Sequence, residues 1–147
     1  MPMADQSSNS ITIDAPAADI CEVLTNLEQY PSWSSAIKNV EVQERDSAGR
    51  AVKVTISIEA GVLKDRASLT YDWSKSPAEI CFSLDEANMM TEMTGCYLIK
   101  DNGDDTTTVT YALSTQVAMP VPDMMRRKVE MQTIDTALSQ LKKKMEG

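Results

Sequence analysis

The chain has 147 residues, a length that suits one domain with a sizeable hydrophobic core and is too short for two. Its 22 acidic and 14 basic residues give a net charge of −8, which opposes phosphate backbones and anionic lipid surfaces and argues against a nucleic-acid partner. Histidine is absent, and this excludes Ser-His-Asp and Cys-His nucleophilic catalysis and the common histidine sites for zinc and iron.

Membrane, secretory and cofactor signals are also missing from the sequence. No apolar run approaches the roughly 20 residues of a membrane span, so integral membrane association is not expected. The first residues lack the basic and apolar segments of a signal peptide, so we expect a cytoplasmic protein with a flexible tail over residues 1–9. The three cysteines, Cys21, Cys81 and Cys96, form no CxxC pair, which favours reduced thiols over a disulfide framework. Without a glycine-rich phosphate loop or a metal-ligand cluster, we expect no cofactor and no metal.

The first quarter of the chain predicts a strand and two helices. Residues 10–14 alternate apolar and polar side chains, as a short strand does. Residues 16–27 have the apolar spacing of a helix. Pro31 disfavours a helical conformation at the residue before it, so we expect a sharp turn over residues 28–33 and a short second helix that ends near Ile37.

From Val40 onward the apolar residues recur with a period of two, which is typical of strands. Turn signals interrupt this pattern at residues 47–50, at Gly61, at residues 76–77 and at residues 101–104. Six consecutive strands are therefore predicted, over residues 40–46, 52–59, 63–73, 80–84, 89–99 and 109–117.

The last stretch, residues 122–145, predicts one long helix with Pro122 in its first turn. At about 1.5 Å per residue it would be roughly 36 Å long, the width of a small domain. An apolar stripe follows one side of this helix and consists of Met124, Met131, Ile134, Ala137, Leu138, Leu141 and Met145. Such a stripe needs a surface to cover, and the preceding strands provide it.

This order of elements, together with the phrase LEQYPSW at residues 27–33 and the terminal amphipathic helix, resembles the START-like superfamily of polyketide cyclases/dehydrases. Within it, the coenzyme Q-binding proteins and the bacterial aromatase/cyclases are the most similar branches. The resemblance implies an α+β helix-grip fold over residues 10–147. In that fold, a curved antiparallel sheet of about seven strands wraps around the C-terminal helix, two short helices follow the first strand, and an apolar cavity lies between sheet and helix.

The candidate ligand-binding residues are those that would face this cavity. Strand parity supplies most of them, the resemblance adds two aromatic residues beside Pro31, and the helix stripe adds three more. The set is Tyr30, Trp33, Ile56, Ile58, Leu69, Tyr71, Phe82, Met93, Tyr97, Tyr111, Leu113, Met124, Arg127 and Met131. Each apolar member is also explained by plain core packing, because alternation is what any half-buried sheet requires.

Methionine is over-represented, with ten copies against one phenylalanine. Several lie in the strand over residues 89–99 or near the start of the long helix. Unbranched, polarizable side chains repack around ligands of varied shape, and they also fill irregular gaps in a small core. The sequence leaves both explanations open.

Two charged residues stand out as candidate catalytic groups. On a helical wheel Arg127 falls inside the apolar stripe, where it either pairs with Glu130 or donates to a ligand carboxylate, carbonyl or enolate. Asp65 shares the inward parity of its strand, where it could pair with Arg127 or act as a general base. The alternative for Asp65 is a local register break at residues 64–66.

Three functional hypotheses follow. The first is a protein that binds a hydrophobic small molecule, such as a lipid, quinone or polyketide-like aromatic, in the cavity. The second is an aromatase/cyclase or dehydrase in which Arg127 orients or polarises a carbonyl and Asp65 or a tyrosine moves the proton. The third is an interaction module, including a weak homodimer, built on Met125 and Val129, which the wheel places on the outward face of the long helix.

Overall fold

The computed structural model describes residues 7–60 and 63–147, and its elements follow the predicted order. Residues 1–6 of the predicted tail and the turn expected at Gly61 lie outside the described residues. The elements are β1 (Ser7–Ile13), α1 (Ala17–Thr25), a 3-10 helix (Leu27–Ser32), β2 (Ile37–Arg45), β3 (Ala51–Ala60), β4 (Leu63–Asp72), β5 (Glu79–Ala87), β6 (Met90–Asp101), β7 (Thr107–Val117) and α2 (Asp123–Glu146).

The seven strands form one antiparallel sheet in the order β1-β7-β6-β5-β4-β3-β2. Helix α2 packs against the sheet, with its closest approach to β1 and β7. Its fully buried residues Ile134, Leu138 and Leu141 join the core that the inward side chains of the strands form. The predicted α+β helix-grip fold is thereby confirmed. No described helix is both long enough and apolar enough to cross a membrane.

Several predicted element boundaries are wrong, and two of them change the description of the first quarter of the chain. Strand β1 begins at Ser7, three residues before the predicted start, because the backbone there pairs with β7. The second helix is a 3-10 helix that contains Pro31, and β2 starts at Ile37, where that helix was expected to end. The missing donor of Pro31 is tolerated because the hydrogen bonds of this turn come from its neighbours, including those from the backbone N of Trp33 and Ser34 to the carbonyl of Tyr30.

The expectation of three reduced thiols is wrong for two of them. Cys81 and Cys96 form a disulfide with an S–S distance of 2.20 Å. They lie directly opposite each other on β5 and β6. That pairing depends on the register of the hairpin, which the spacing of the cysteines in the sequence does not show. Cys21 on α1 is free and half-buried.

Asp65 is buried on β4, where it holds the turn between β5 and β6. Its carboxylate accepts hydrogen bonds from the backbone N of Asn88 at 3.0 Å, of Met89 at 3.1 Å and of Met90 at 3.0 Å. The β3–β4 register is continuous through Asp65, which pairs with Ile58, so the register break considered from the sequence is wrong. These contacts give Asp65 a structural task, the satisfaction of three backbone donors at a tight turn.

Replacement of Asp65 by asparagine should destabilise the fold, because the amide nitrogen cannot accept these hydrogen bonds. We expect a loss of about 1–3 kcal/mol in the free energy of unfolding, measured by urea denaturation. Glu92→Gln, which changes an exposed carboxylate on β6, is the control and should shift stability by less than about 0.5 kcal/mol. Equal stability of the two variants would contradict the assigned role of Asp65.

Gly95 on β6 is required by a close aromatic contact. It lies opposite Phe82 on β5, and a Cβ atom added at Gly95 would lie 2.3 Å from Cζ of the Phe82 ring. We expect Gly95→Ala to cost about 1–3 kcal/mol of unfolding free energy, because the ring must leave its place. Thr94→Ala, on the exposed face of the same strand, is the matched control. A Gly95→Ala melting temperature equal to that of the control would show that the ring moves at no cost.

Candidate functional site

A cavity of about 300 Å³ lies between the sheet and α2. Its most exposed lining residues are Val121, Met125 and Val129, at 36%, 59% and 43%, so it opens beside the first turns of α2. The lining consists of Tyr30, Ser34, Ala36, Ile37, Ile56, Ile58, Leu69, Tyr71, Phe82, Met90, Met93, Tyr97, Tyr111, Leu113, Thr115, Val117, Val121, Met125, Arg126, Val129, Glu130, Thr133, Thr136, Ala137 and Gln140.

Flat aromatic faces form part of the cavity wall. Tyr97 and Tyr111 are cross-strand partners on β6 and β7, and their rings stack with centroids 4.2 Å apart and planes 12° apart. On β4, the ring of Tyr71 stacks on that of Trp73 at 5.5 Å and tilts against Phe82 at 5.3 Å. Every second side chain of a strand faces the same side of the sheet. The period-two pattern therefore places these rings on one face.

The tyrosine hydroxyls differ in their partners. The hydroxyl of Tyr30 donates a hydrogen bond to the carbonyl of Leu24 at 2.6 Å. Within the described part of the chain, the hydroxyls of Tyr71, Tyr97 and Tyr111 have no hydrogen-bond partner. Burial raises the pKa of all four tyrosines well above the usual value, so at neutral pH they are uncharged. Three neutral hydroxyls in the cavity wall are thus available to a ligand.

A buried ion pair on α2 lies at the same cavity. Glu130 is 1% exposed, and its carboxylate accepts hydrogen bonds from Ser7 Oγ at 2.7 Å and from Arg126 Nη1 at 3.1 Å. The backbone N and Oγ1 of Thr115 donate to it at 2.6 Å and 2.8 Å. Charge-assisted bonds from three elements therefore hold this carboxylate between α2, β1 and β7.

Arg126 has one buried nitrogen, Nε, whose hydrogen no described residue accepts. Its Nη1 donates to Glu130 and to the carbonyl of Thr115, and its Nη2 lies 3.6 Å from the exposed carboxylate of Asp123. The Nε atom is buried and has no hydrogen-bond partner. A buried donor without an acceptor is costly, and this atom has almost no accessible surface, so the cavity does not expose it to a ligand.

The wheel position predicted for Arg127 is wrong, because Arg126 is the buried arginine and Arg127 is exposed. Glu130, expected beside Arg127, bonds to Arg126. The buried positions of α2 are 126, 130, 134, 138 and 141. The line steps by four residues as far as 138 and by three to 141, and it drifts around the helix. A helical wheel assumes that the buried residues stay on one side of the helix along its whole length. Here the buried side rotates along the helix, because a straight helix crosses a twisted sheet. Met125 and Val129 are exposed, as the wheel predicts, and they also belong to the cavity lining.

Ten of the fourteen predicted ligand-binding residues line the cavity, and all ten except Tyr30 come from strand parity. The other four do not: Trp33 is buried beside Tyr30, Met124 is 83% exposed, Met131 is half-buried, and Arg127 is exposed. Asp65 also lies outside the lining. The binding and catalytic roles themselves stay predictions.

The residues that the sequence analysis missed come chiefly from α2 and from the ends of strands. Met90 and Met93 are an odd number of residues apart, so in a regular strand they would face opposite sides of the sheet. Both line the cavity, because the register between β6 and β7 shifts between Met90 and Glu92. Thr115 and Val117 continue the parity of Leu113, so the strand pattern could have identified them. The side of α2 that meets the cavity had no such signal.

One further cluster among the described residues contains the types of side chain that bind metal ions. Side-chain ligand atoms of Glu79, Cys81 and Cys96 lie within 4.8 Å of one another. Both sulfur atoms are shared in the disulfide, however, and a disulfide sulfur is not the thiolate that metals bind. The two cysteines of this cluster therefore link β5 to β6 covalently and do not act as metal ligands in this state.

Comparisons with known proteins agree with this architecture. The sequence pattern of the family described as "Polyketide cyclase / dehydrase and lipid transport" matches residues 5–146. A START superfamily protein from Mycobacterium smegmatis has a similar structure, with a TM-score of 0.91, 22% identity, and coverage of 96% of this chain and 97% of the other. The Zhui aromatase/cyclase from Streptomyces sp. R1128 has a TM-score of 0.82 at 15% identity, with coverage of 96% and 93%.

The ginseng major latex-like protein 151 from Panax ginseng has the same fold at 10% identity, with a TM-score of 0.74 and coverage of 97% of both chains. The comparison with curated proteins finds no match. At these identities the likeness extends to the fold alone. The lining of the cavity therefore has to be interpreted from the residues of this chain.

The buried tyrosines predict a loss of stability at alkaline pH. An unfolded tyrosine releases its proton near pH 10, whereas the raised pKa keeps each buried tyrosine protonated. The unfolded state then binds fewer protons, so the free energy of unfolding falls as pH rises above about 10, by up to about 5 kcal/mol per pH unit for four groups.

Urea denaturation between pH 8 and pH 11 measures this slope. Tyr71→Phe removes one titrating group and should reduce the tyrosine contribution to the slope by about a quarter. Absorbance at 295 nm follows phenolate formation and should change only as the protein unfolds. Phenolate formation near pH 10 in the folded protein would contradict the assigned burial.

Proposed function

Because the chain belongs to the polyketide cyclase/dehydrase and lipid transport family, we propose that it binds a hydrophobic small molecule in the cavity between the sheet and α2. The observation that carries the proposal is the cavity itself, about 300 Å³ in volume and lined mainly by aliphatic, methionine and aromatic side chains. This volume is at the lower end of the range for small-molecule sites in proteins. It suits a ligand of a few fused rings or one short chain.

The physical driving force is the transfer of apolar ligand surface from water into an already formed cavity. Each Å² of apolar surface removed from water contributes about 25 cal/mol, before the cost of losing translational freedom. Met90, Met93 and Met125 lie in the lining, and their flexible side chains can adjust to the outline of the ligand. The exposed side chains at the mouth, Val121, Met125 and Val129, offer an apolar entrance.

A cyclase or dehydrase is the second candidate, and the presence of Arg126 in the cavity lining favours it. A guanidinium in the lining could polarise a ligand carbonyl. Proton removal is the difficult step, because Glu130 already accepts four hydrogen bonds and the raised pKa values keep the tyrosines protonated, so that none is present as a phenolate base. Binding without turnover therefore fits the chemistry of the lining better.

Filling the cavity should weaken binding. Leu113→Trp places a large ring into the cavity from β7, and we expect at least about a tenfold loss of affinity, or about 1.4 kcal/mol. The matched control is Leu98→Trp, since Leu98 is 41% exposed on the outer face of β6. Native mass spectrometry of the protein from its own host and thermal shifts with apolar probes would measure the difference.

In this experiment the wild-type protein and Leu98→Trp should retain a hydrophobic adduct, and Leu113→Trp should lose it. A wild-type protein that carries no adduct and is not stabilised by any apolar probe would contradict the proposal. An adduct that persists in Leu113→Trp would place the ligand elsewhere.

A further inference from the structure

The disulfide and one carboxylate form a cluster on the face of the sheet that points away from the cavity. Cys81 on β5 pairs with Cys96 on β6. The next residues along the two strands, Phe82 and Tyr97, line the cavity. Neighbouring side chains of a strand face opposite sides of the sheet, so the cysteines lie on its outer face. Glu79 precedes Cys81 by two residues and shares that face, and all three side chains of the cluster are half-buried.

The three side chains bring their ligand atoms close together. A carboxylate oxygen of Glu79 lies 3.2 Å from the sulfur of Cys81. This oxygen and the two sulfur atoms of the cluster all lie within 4.8 Å of one another. A disulfide sulfur carries no hydrogen, so in the oxidised protein the carboxylate gains no hydrogen bond from this contact.

The backbone keeps the two cysteines opposite each other without help from the S–S bond. The pairs on either side of them, Ile80–Tyr97 and Phe82–Gly95, belong to the same antiparallel ladder. Reduction of the disulfide therefore leaves two thiols on directly opposite residues of neighbouring strands. Side chains in such positions are close enough for both sulfurs to reach one ion.

Two thiolates and one carboxylate make a ligand set that suits Zn²⁺. Thiolates bind zinc at about 2.3 Å and carboxylates at about 2.0–2.2 Å, so ligand atoms around a tetrahedral ion lie about 3.5–4 Å apart. Magnesium and calcium ions prefer a shell of oxygen atoms alone. Three protein ligands leave the fourth position of the ion to water, as in exchangeable zinc sites.

We propose that reduction of the Cys81–Cys96 disulfide creates a zinc site, in which both thiolates and the Glu79 carboxylate bind one Zn²⁺. Two small-molecule thiols supply two electrons and two protons, and they leave joined as one disulfide while the protein S–S bond breaks. Zinc then displaces the two thiol protons into solvent. A small-molecule disulfide reverses the first step and releases the ion.

This site differs from the absence of a metal expected from the sequence, because the two cysteines are 15 residues apart and only the hairpin register brings them together. The inference does not rest on the proposed ligand-binding function, since the cluster and the cavity lie on opposite faces of the sheet.

The test compares the zinc affinity of the oxidised and the reduced protein. The disulfide is reduced with a phosphine, which is then removed in the absence of oxygen, and affinities are measured by competition with a chromogenic zinc chelator. We expect the reduced protein to bind one Zn²⁺ per chain at least about 100-fold more tightly than the oxidised protein. Cobalt(II) reports direct ligation, because sulfur-to-metal charge-transfer absorption appears only when thiolates bind the ion.

Three substitutions and a matched control assign the ligands. In the reduced state, Cys96→Ser and Glu79→Gln should each weaken zinc binding at least about tenfold, and Cys96→Ser should also reduce the charge-transfer absorption. Glu86→Gln changes an exposed carboxylate on the same strand and should leave the affinity unchanged. Cys21→Ala, which removes the free cysteine on α1, should leave it unchanged as well.

A reduced protein that binds zinc no more tightly than the oxidised one would overturn the inference. So would reduced Glu79→Gln and Glu86→Gln proteins of equal affinity, or loss of binding in Cys21→Ala. Circular dichroism checks that the reduced protein keeps its fold. Unfolding on reduction would also overturn the inference, because the β5–β6 register is what brings the three ligands together. None of these results bears on the hydrophobic adduct that tests the proposed function.

Discussion

The buried carboxylate of Glu130 fixes the relation between the long helix and the sheet. It lies where α2 meets β1 and β7, and Ser7, Thr115 and Arg126 supply its four hydrogen bonds. An ion in this position is tolerated only with such a complete set of partners, and loss of one partner leaves an uncompensated buried charge. The start of α2 is therefore held at a defined place over the sheet, while Ile134 and the residues beyond it pack into the core by apolar contact.

This arrangement also explains why a cavity exists at one end of the domain. The later turns of α2 fill the space above the sheet with Leu138 and Leu141. At the first turns the helix is held by polar contacts to the β1–β7 edge, and the strands that curve away from it leave the cavity. The ion pair that positions the helix also keeps the cavity wall free of net charge. One interaction thus determines both the shape of the site and its electrostatic character.

Proteins that share this fold at 10% to 22% identity retain the same architecture over nearly the whole chain. A fold that is so tolerant of its sequence does not specify a ligand, and chemistry resides in the residues that line the cavity. In this chain those residues combine an apolar wall with neutral tyrosine hydroxyls and one guanidinium whose charge is already balanced. These properties are compatible with the proposed binding of a hydrophobic small molecule.

The sequence by itself determined the order of elements, the helix-grip fold and the strand contribution to the cavity, because side chains alternate along a strand with a fixed period. Tertiary structure alone decided four features: the choice of Arg126 over Arg127, the turn contacts of Asp65, the Cys81–Cys96 disulfide and the cavity position of Met90. Each depends on how one element lies against another, through the twist of the sheet, the register of a hairpin or a shift within it. Such relations join residues that are distant in the chain, and local periodicity carries no information about them.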